Sequence, residues 1–113
     1  MHEYSIVQAL LDRVLGEARS RDASAVHRIK VRIGELSGVE PELLASAYTL
    51  CRERTLCAEA RLDLERVPAR WGCSDCGRAP EPGAVLRCPA CGGPARLMQG
   101  DEILLESIEM EVA

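Results

Sequence analysis

The feature that most constrains this chain is a pair of Cys-x-x-Cys motifs, Cys73/Cys76 and Cys88/Cys91, separated by 11 residues. A glycine follows the second cysteine of each pair and permits a tight turn whose N–H groups point at sulfur. Four thiolates so arranged are the donor set typical of structural Zn²⁺. The surrounding segment, 71–100, shows little hydrophobic periodicity. Since it has no apolar core of its own, a metal is expected to hold it together.

Two other interpretations of these cysteines remain open. The same four ligands accept iron in a rubredoxin-like site, and a Cys-x-x-Cys pair occurs in thioredoxin-like redox proteins. The doubled pairs, without a βαβ pattern around them, favour zinc. Four thiolates leave no open coordination position, so the site is expected to be structural rather than catalytic. Cys51 and Cys57 are predicted to be inert thiols, Cys51 as a core residue.

Composition excludes several classes of function. The 113 residues are 47% hydrophobic but include no Phe, one Trp and two Tyr, so the core must be aliphatic. The formal net charge of −4 argues against a nucleic-acid binder, which needs a basic surface. No stretch approaches the roughly 20 apolar residues of a membrane span, and no signal peptide is evident. We therefore expect a cytoplasmic protein with reduced cysteines and no membrane partner.

Hydrophobic periodicity predicts two helices and three strands. A helix is expected over 6–18, starting near Ser5, where Gln8 three residues later fits a capping box; residues 1–4 are then a short arm. A second helix is expected to run from Pro41 to about Arg54. Its predicted apolar side is Leu43, Leu44, Ala47, Leu50 and Cys51. The predicted strands are 26–33, 61–67 and 103–112.

The predicted strands carry charges of opposite sign on their outer faces. The first strand presents Arg28, Lys30 and Arg32, whereas the other two present mainly acidic residues. These charges either pair across the sheet or remain separately solvated. His27 is interpreted as a core or strand-end residue rather than a metal ligand.

The amino terminus places several nitrogen donors close together. The Met1 α-amine, the His2 amide and the His2 Nδ1 form adjoining five- and six-membered chelate rings, and the Glu3 amide supplies a fourth nitrogen. Ni²⁺ and Cu²⁺ both favour such a square-planar set. Any chain that begins Met-His and keeps its methionine offers it, so the motif alone does not establish a metal site.

The combined pattern resembles the HypA/HybF family of hydrogenase maturation factors. The MHE start, the IGELSGVEPELL turn into the second helix and the late doubled Cys-x-x-Cys motifs occur in the family's order along essentially the whole chain. The resemblance implies an α+β fold, with two helices packed on a three-stranded sheet. It also implies a small inserted zinc-ribbon-like domain with rubredoxin-like knuckles. The domain boundaries are then 1–69 with 101–113 for the nickel-binding domain, and 70–100 for the insert.

The same resemblance implies a function and a set of metal ligands. The protein is expected to be a nickel metallochaperone rather than an enzyme, and to deliver Ni²⁺ to the [NiFe]-hydrogenase large subunit with a HypB-type GTPase. Urease maturation factors are further candidate partners, and a monomer or weak homodimer is expected. The implied nickel ligands are Met1, His2 and Glu3, and the implied zinc ligands are Cys73, Cys76, Cys88 and Cys91.

The sequence departs from the family pattern at one point, and a second function remains an alternative to nickel delivery. Some members carry histidines beside the zinc cysteines that are implicated in sensing; this sequence has none there, so such a switch is not expected. The alternative function is a zinc-ribbon protein-interaction module without a nickel role. Catalysis is not expected, because no histidine lies near a Ser or Cys nucleophile and the cysteine site is closed.

Overall fold

The computed structural model describes residues 2–73 and 94–112, and these form two helices and five strands. The elements are, in chain order, α1 His2–Ser20, β1 Ala23–Gly34, α2 Pro41–Cys51, β2 Arg61–Val67, β3 Arg70–Cys73, β4 Ala95–Gln99 and β5 Ile103–Val112. No helix in this part of the chain is both long and apolar enough to cross a membrane.

A three-stranded sheet has the order β2-β1-β5. The central strand β1 pairs in parallel with β2 and antiparallel with β5. The parallel pair is joined through α2, as a crossover connection requires. Since two helices pack against a mixed three-stranded sheet, the expected α+β architecture is confirmed.

One hydrophobic core lies between the sheet and both helices. On β1, the inward-facing Val26, Ile29, Val31 and Ile33 are buried. On α1, residues at helical spacing meet them: Val7, Leu11, Val14 and Ala18. Each large aliphatic side chain buried in this way contributes roughly 1.5–3 kcal/mol of transfer free energy. A core without phenylalanine is thus built from the predicted aliphatic residues.

Helix α2 contributes a narrower apolar stripe than the sequence predicts. Leu44, Ala47 and Tyr48 are buried, whereas Leu43 and Leu50 are 55% and 69% exposed. The two exposed leucines lie seven residues apart, on the flank of the helix that faces away from the core. The prediction that they belong to the buried side was wrong.

Tyr48 fixes the chain beyond α2. Its hydroxyl donates a 2.8 Å hydrogen bond to the Ala60 carbonyl, and burial raises the pKa of Tyr48 to about 12. The helix ends at Cys51, earlier than predicted, and Arg54, its predicted end, adopts a left-handed φ of 64°. The turn is held by the Thr55 hydroxyl, which donates to the Arg52 carbonyl at 2.6 Å.

The outer face of the sheet is a network of paired charges. Arg28 binds Asp63 on β2 and lies 3.6 Å from Glu109 on β5. Lys30 lies 3.4 Å from Glu106 and 3.8 Å from Glu65. Of the two interpretations of these charges, cross-strand pairing is therefore confirmed. Exposed pairs of this kind contribute about 0–1 kcal/mol each.

The environment of Asp63 differs from that of the other carboxylates in this network. Partial burial opposes its ionisation, but hydrogen bonds and charge from Arg28 and Arg61 outweigh that effect and hold the pKa of Asp63 below its ordinary value. The Arg61 Nε atom donates to Asp63 at 2.7 Å. Asp63 is thus charged throughout the neutral range and ties β2 to β1.

His27 is not a core residue. Its imidazole is 57% exposed, and Nε2 lies 3.6 Å from a carboxylate oxygen of Glu111. It occupies an irregularity in the β1–β5 register between Val26 and Arg28, where the alternation of faces is interrupted. The simple alternating pattern therefore assigned His27 to the wrong face.

A second, two-stranded sheet was not predicted from the sequence. Strands β3 and β4 pair antiparallel, with Trp71 opposite Leu97 and Cys73 opposite Ala95. The first is four residues long and the second five, too short for an alternating pattern to stand out.

The residues at the end of β1 form hydrogen bonds with both chain segments that connect to the β3–β4 hairpin. Three successive backbone N–H groups, those of residues 34–36, donate to the carbonyls of Glu102, Val67 and Gly100 at 2.7–2.8 Å. The Glu35 side chain adds a 2.7 Å hydrogen bond from the Ala69 N–H. The chain segments entering and leaving 70–100 are thus fixed to one turn.

Substituting Gly34 with alanine is expected to destabilise the protein by about 1–3 kcal/mol, because overpacking forces the backbone apart. A Cβ at this position would lie 2.3 Å from the backbone carbon and oxygen of Gly100. The matched control is Gly16→Ala in α1, where nothing lies within 4 Å. It should stabilise the helix by roughly 0.4–1 kcal/mol. Thermal unfolding of both variants tests this; equal effects would contradict the close approach.

Candidate functional site

Residues 2–4 lie in helix α1 rather than in a separate short arm. Helix α1 begins at His2, so the predicted start near Ser5 and the four-residue arm were wrong. Ser5 lies inside the first turns of the helix. Gln8 Nε2 donates to Cys51 Sγ on α2 at 3.6 Å and so links the two helices.

An early helix start has a consequence for the backbone nitrogens. The first four N–H groups of an α-helix have no acceptor within the helix. The amides of His2 and Glu3 belong to this set, because α1 begins at His2. If these two amides lost their protons and bound a metal, no hydrogen bond within the helix would be broken. The helical geometry is therefore compatible with a backbone chelate at the start of the chain.

Glu3 joins the two helices at their amino-terminal ends. Its Oε2 atom accepts a hydrogen bond from the Glu40 N–H at 3.4 Å. Glu40 is the residue that precedes α2, with extended backbone and no side-chain cap of its own. A carboxylate at this point also complements the positive end of the α2 dipole, worth typically 0.3–1 kcal/mol. The start of the chain is thereby tied to the body of the protein.

The loop that carries Glu40 is itself held in a defined conformation. Gly38 has a left-handed φ of 79°, and the Val39 N–H lies 3.4 Å from the Ser37 hydroxyl oxygen. Val39 is buried in the core beneath the loop. The Glu3–Glu40 contact joins residues that are 37 positions apart. Sequence reasoning did not identify Glu40, although its place directly before Pro41 marks it as the residue that begins α2.

Of the four predicted zinc ligands, only Cys73 lies among the described residues. It ends β3, is 3% exposed and forms no disulfide there. Cys76, Cys88 and Cys91 lie outside the described residues. Pairing of Cys73 with Ala95 brings together the two ends of the segment that contains them. Within 2–73 and 94–112, no group of three or more His, Cys, Asp or Glu side chains is arranged to hold a metal.

The other two cysteines differ in burial. Cys57 is fully buried, and burial raises the pKa of its thiol, which keeps it protonated and unreactive. Cys51 is half-buried at the edge of the core, where it accepts the hydrogen bond from Gln8. Both are free thiols, and Cys57 rather than Cys51 is the more deeply buried.

Comparison with known proteins identifies the family. Residues 1–110 match the family model described as hydrogenase/urease nickel incorporation, metallochaperone, hypA. The chain belongs to the HypA family. It is 40% identical over 114 residues to hydrogenase maturation factor HypA of Aquifex aeolicus, with 99% of each chain covered. It is 41% identical to that of Wolinella succinogenes, with 98% of this chain and 96% of the relative covered.

Solved structures support the same assignment for this HypA-family chain. The solution structure of the Ni metallochaperone HypA from Helicobacter pylori matches with a TM-score of 0.72 and 32% identity. The match covers 98% of both chains. Family membership therefore rests on the whole sequence and on the fold, and the resemblance inferred from the motifs is confirmed.

Proposed function

We propose that this protein is a nickel metallochaperone that binds Ni²⁺ at its amino terminus and delivers it to the large subunit of [NiFe]-hydrogenase. The observation that carries the proposal is the match of residues 1–110 to a nickel-incorporation family. The relatives are named as hydrogenase maturation factors, which supports hydrogenase as the client. A HypB-type GTPase is proposed as the partner in delivery, and urease maturation factors as a second destination. The role is non-catalytic, and we assign it to the cytoplasm.

The proposed nickel ligands are nitrogen atoms of residues 1–3. The Met1 amine, the His2 amide, the His2 Nδ1 and the Glu3 amide would supply the nitrogen donors. Nickel in its divalent state favours four in-plane nitrogens. The start of α1 at His2 supports this set, because the helix itself makes no use of these N–H groups.

The same ligands also permit release. Nickel binding at amide and imidazole nitrogens displaces protons, so reprotonation of these atoms dismantles the site. A site at the end of the chain is also accessible to a partner protein. The Glu3 contact to Glu40 would orient the site on the body of the protein without burying it.

Zinc is proposed to be a resident structural metal held by Cys73, Cys76, Cys88 and Cys91. The donor set fits, because four thiolates in two closely spaced pairs are what tetrahedral Zn²⁺ takes in structural sites. The buried position of Cys73 at the end of a short hairpin supports one end of that site. Zinc would supply a cross-link for residues 70–100, inserted into a nickel-binding domain of residues 1–69 and 101–113.

A proline at position 3 tests the backbone chelate. Glu3→Pro removes the amide proton, whereas the matched control Glu3→Ala keeps the amide and removes only the carboxylate. Proline is tolerated in the first helical turn. We expect Ni²⁺ affinity of the zinc-loaded protein, measured by calorimetry, to fall by at least about tenfold in Glu3→Pro, equivalent to about 1.4 kcal/mol. Glu3→Ala should lose less, since one hydrogen bond contributes about 0.5–1.5 kcal/mol.

Two outcomes would contradict this assignment of Glu3. Native affinity in Glu3→Pro would exclude its amide as a ligand. An equal loss in Glu3→Ala would mean that the carboxylate, and not the amide, carries the effect. The visible absorption band of square-planar nickel should change only in the proline variant.

A further inference from the structure

Strand β5 presents a long open edge. It is an outer strand of the sheet, ten residues long, and one edge pairs with β1. Within 2–73 and 94–112, no other strand pairs with its second edge. Alternate backbone N–H and C=O groups on that side therefore have no strand partner among the described residues, which makes the edge a template for another extended chain.

A groove of about 310 Å³ runs along this edge on the helix side of the sheet. Its floor is formed by β5 and includes Leu105, Ile108 and Met110, which are half-buried against the core, beside Glu106 and Ser107. Its wall is formed by α1 through Arg13, Glu17 and Arg21, and Arg21 is paired with Glu17 at 2.5 Å. Alternate side chains of a strand added to β5 would enter this groove, where the three apolar side chains of the floor favour apolar ones.

The opposite face of the same edge is acidic. Glu106, Glu109 and Glu111 contact β1 side chains on the solvent side and are 40%, 61% and 65% exposed. Of the three, Glu106 also borders the groove. Their contacts with β1 are loose, at 3.4–3.6 Å from Lys30, Arg28 and His27. These carboxylates therefore retain access to cations on the open side of β5.

The strand that already pairs with β5 shows which sequence pattern fits it. Strand β1 alternates apolar residues towards the core with Arg28 and Lys30, which contact Glu109 and Glu106 of β5. A second copy of β5 would not fit, because antiparallel pairing of two such strands places glutamates near glutamates, which is destabilising. Charge complementarity thus selects a basic partner over self-association.

We propose that the open edge of β5 docks an extended segment of a partner protein in which basic and apolar residues alternate. The added strand pairs its backbone with β5, inserts its apolar side chains into the α1–β5 groove and sets its basic side chains against Glu106, Glu109 and Glu111. This recognition mode is strand addition to a sheet edge. It is independent of metal binding at the amino terminus.

The test uses zinc-loaded, full-length protein and a fluorescent peptide of alternating lysine and valine, matched to β5 in length. Fluorescence anisotropy should show saturable binding that weakens with salt. The double variant Glu109→Lys with Glu111→Lys should weaken binding by at least tenfold. The control Glu53→Lys with Glu59→Lys makes the same change in net charge at exposed positions outside the sheet and should bind as the native protein does.

Further measurements make the result decisive. If the lysine pair unfolds the protein, Glu109→Gln with Glu111→Gln replaces it, and the same weakening, smaller in size, is expected. Amide hydrogen exchange should slow on β5 when the peptide binds. Absence of saturable binding, equal binding of a glutamate–valine peptide or equal weakening by the control pair would overturn the proposal. A dimer in sedimentation experiments that is lost in Glu109→Lys with Glu111→Lys would overturn it in favour of self-association.

Discussion

Replacing His2 with alanine is expected to abolish stoichiometric Ni²⁺ binding while zinc content and fold are retained. The substitution removes the imidazole and with it the six-membered chelate ring. Alanine has a higher intrinsic helix propensity than histidine, so α1, which begins at this residue, should form normally. Calorimetric titration with Ni²⁺, alongside zinc analysis and far-UV circular dichroism, measures the three properties separately.

The second histidine of the chain provides a matched control for this experiment. His27 is exposed on β1 beside Glu111, far from the proposed nickel ligands in sequence and on the face of the sheet opposite the helices. His27→Ala removes the same chemical group from the protein and should leave nickel binding unchanged. Undiminished nickel affinity in His2→Ala, or an equal loss in both variants, would contradict the assignment of His2 as a ligand.

Replacing Cys73 and Cys76 together with serine is expected to eliminate zinc and to unfold the insert locally. Structural Zn²⁺ contributes roughly 10–16 kcal/mol of apparent binding free energy in small metal-dependent domains. The sequence of the insert shows little hydrophobic periodicity, so we do not expect an apolar core there to compensate for that loss. The body should survive, because its core lies between β1, α1 and α2. Zinc-to-protein ratio and amide exchange, compared between β1 and β3, distinguish the two regions.

Cys51 provides a control for this experiment. Cys51→Ala removes a half-buried thiol that is not a proposed ligand and should leave the zinc content at the native ratio. Full zinc stoichiometry in the double serine variant would contradict the four-thiolate site. Loss of protection throughout β1 would instead show that the body depends on the metal.

Much of the fold could be predicted because its strands are strongly patterned. Strands β2 and β5 have the predicted bounds, 61–67 and 103–112, since alternating residues bury one face of each. The start of α1 at His2 was not predicted: Glu3, in its first turn, contacts a loop residue 37 positions away, and a local capping pattern does not reveal such a contact. His27 was misplaced because a register irregularity is invisible in an alternating pattern.

The candidate metal sites show the same division between local and long-range information. Cysteine spacing and the Met-His-Glu start are local signals, so the sequence nominated every proposed ligand. The sequence did not predict how the first turn of α1 is anchored, because that depends on how α1 packs against α2 and the loop before it. The fixed turn at residues 34–36, which holds both connections to the insert, likewise depends on pairing between distant segments.

The most direct test of nickel binding at the amino terminus compares the native protein with one that carries additional residues before Met1. The extension converts the α-amine into an amide and leaves every side chain, including His2 and all four proposed zinc ligands, unchanged. We predict that the native protein binds one Ni²⁺ with a square-planar absorption band, and that the extended protein loses this binding while keeping its zinc. Equal nickel affinity and stoichiometry in the two proteins would contradict the account.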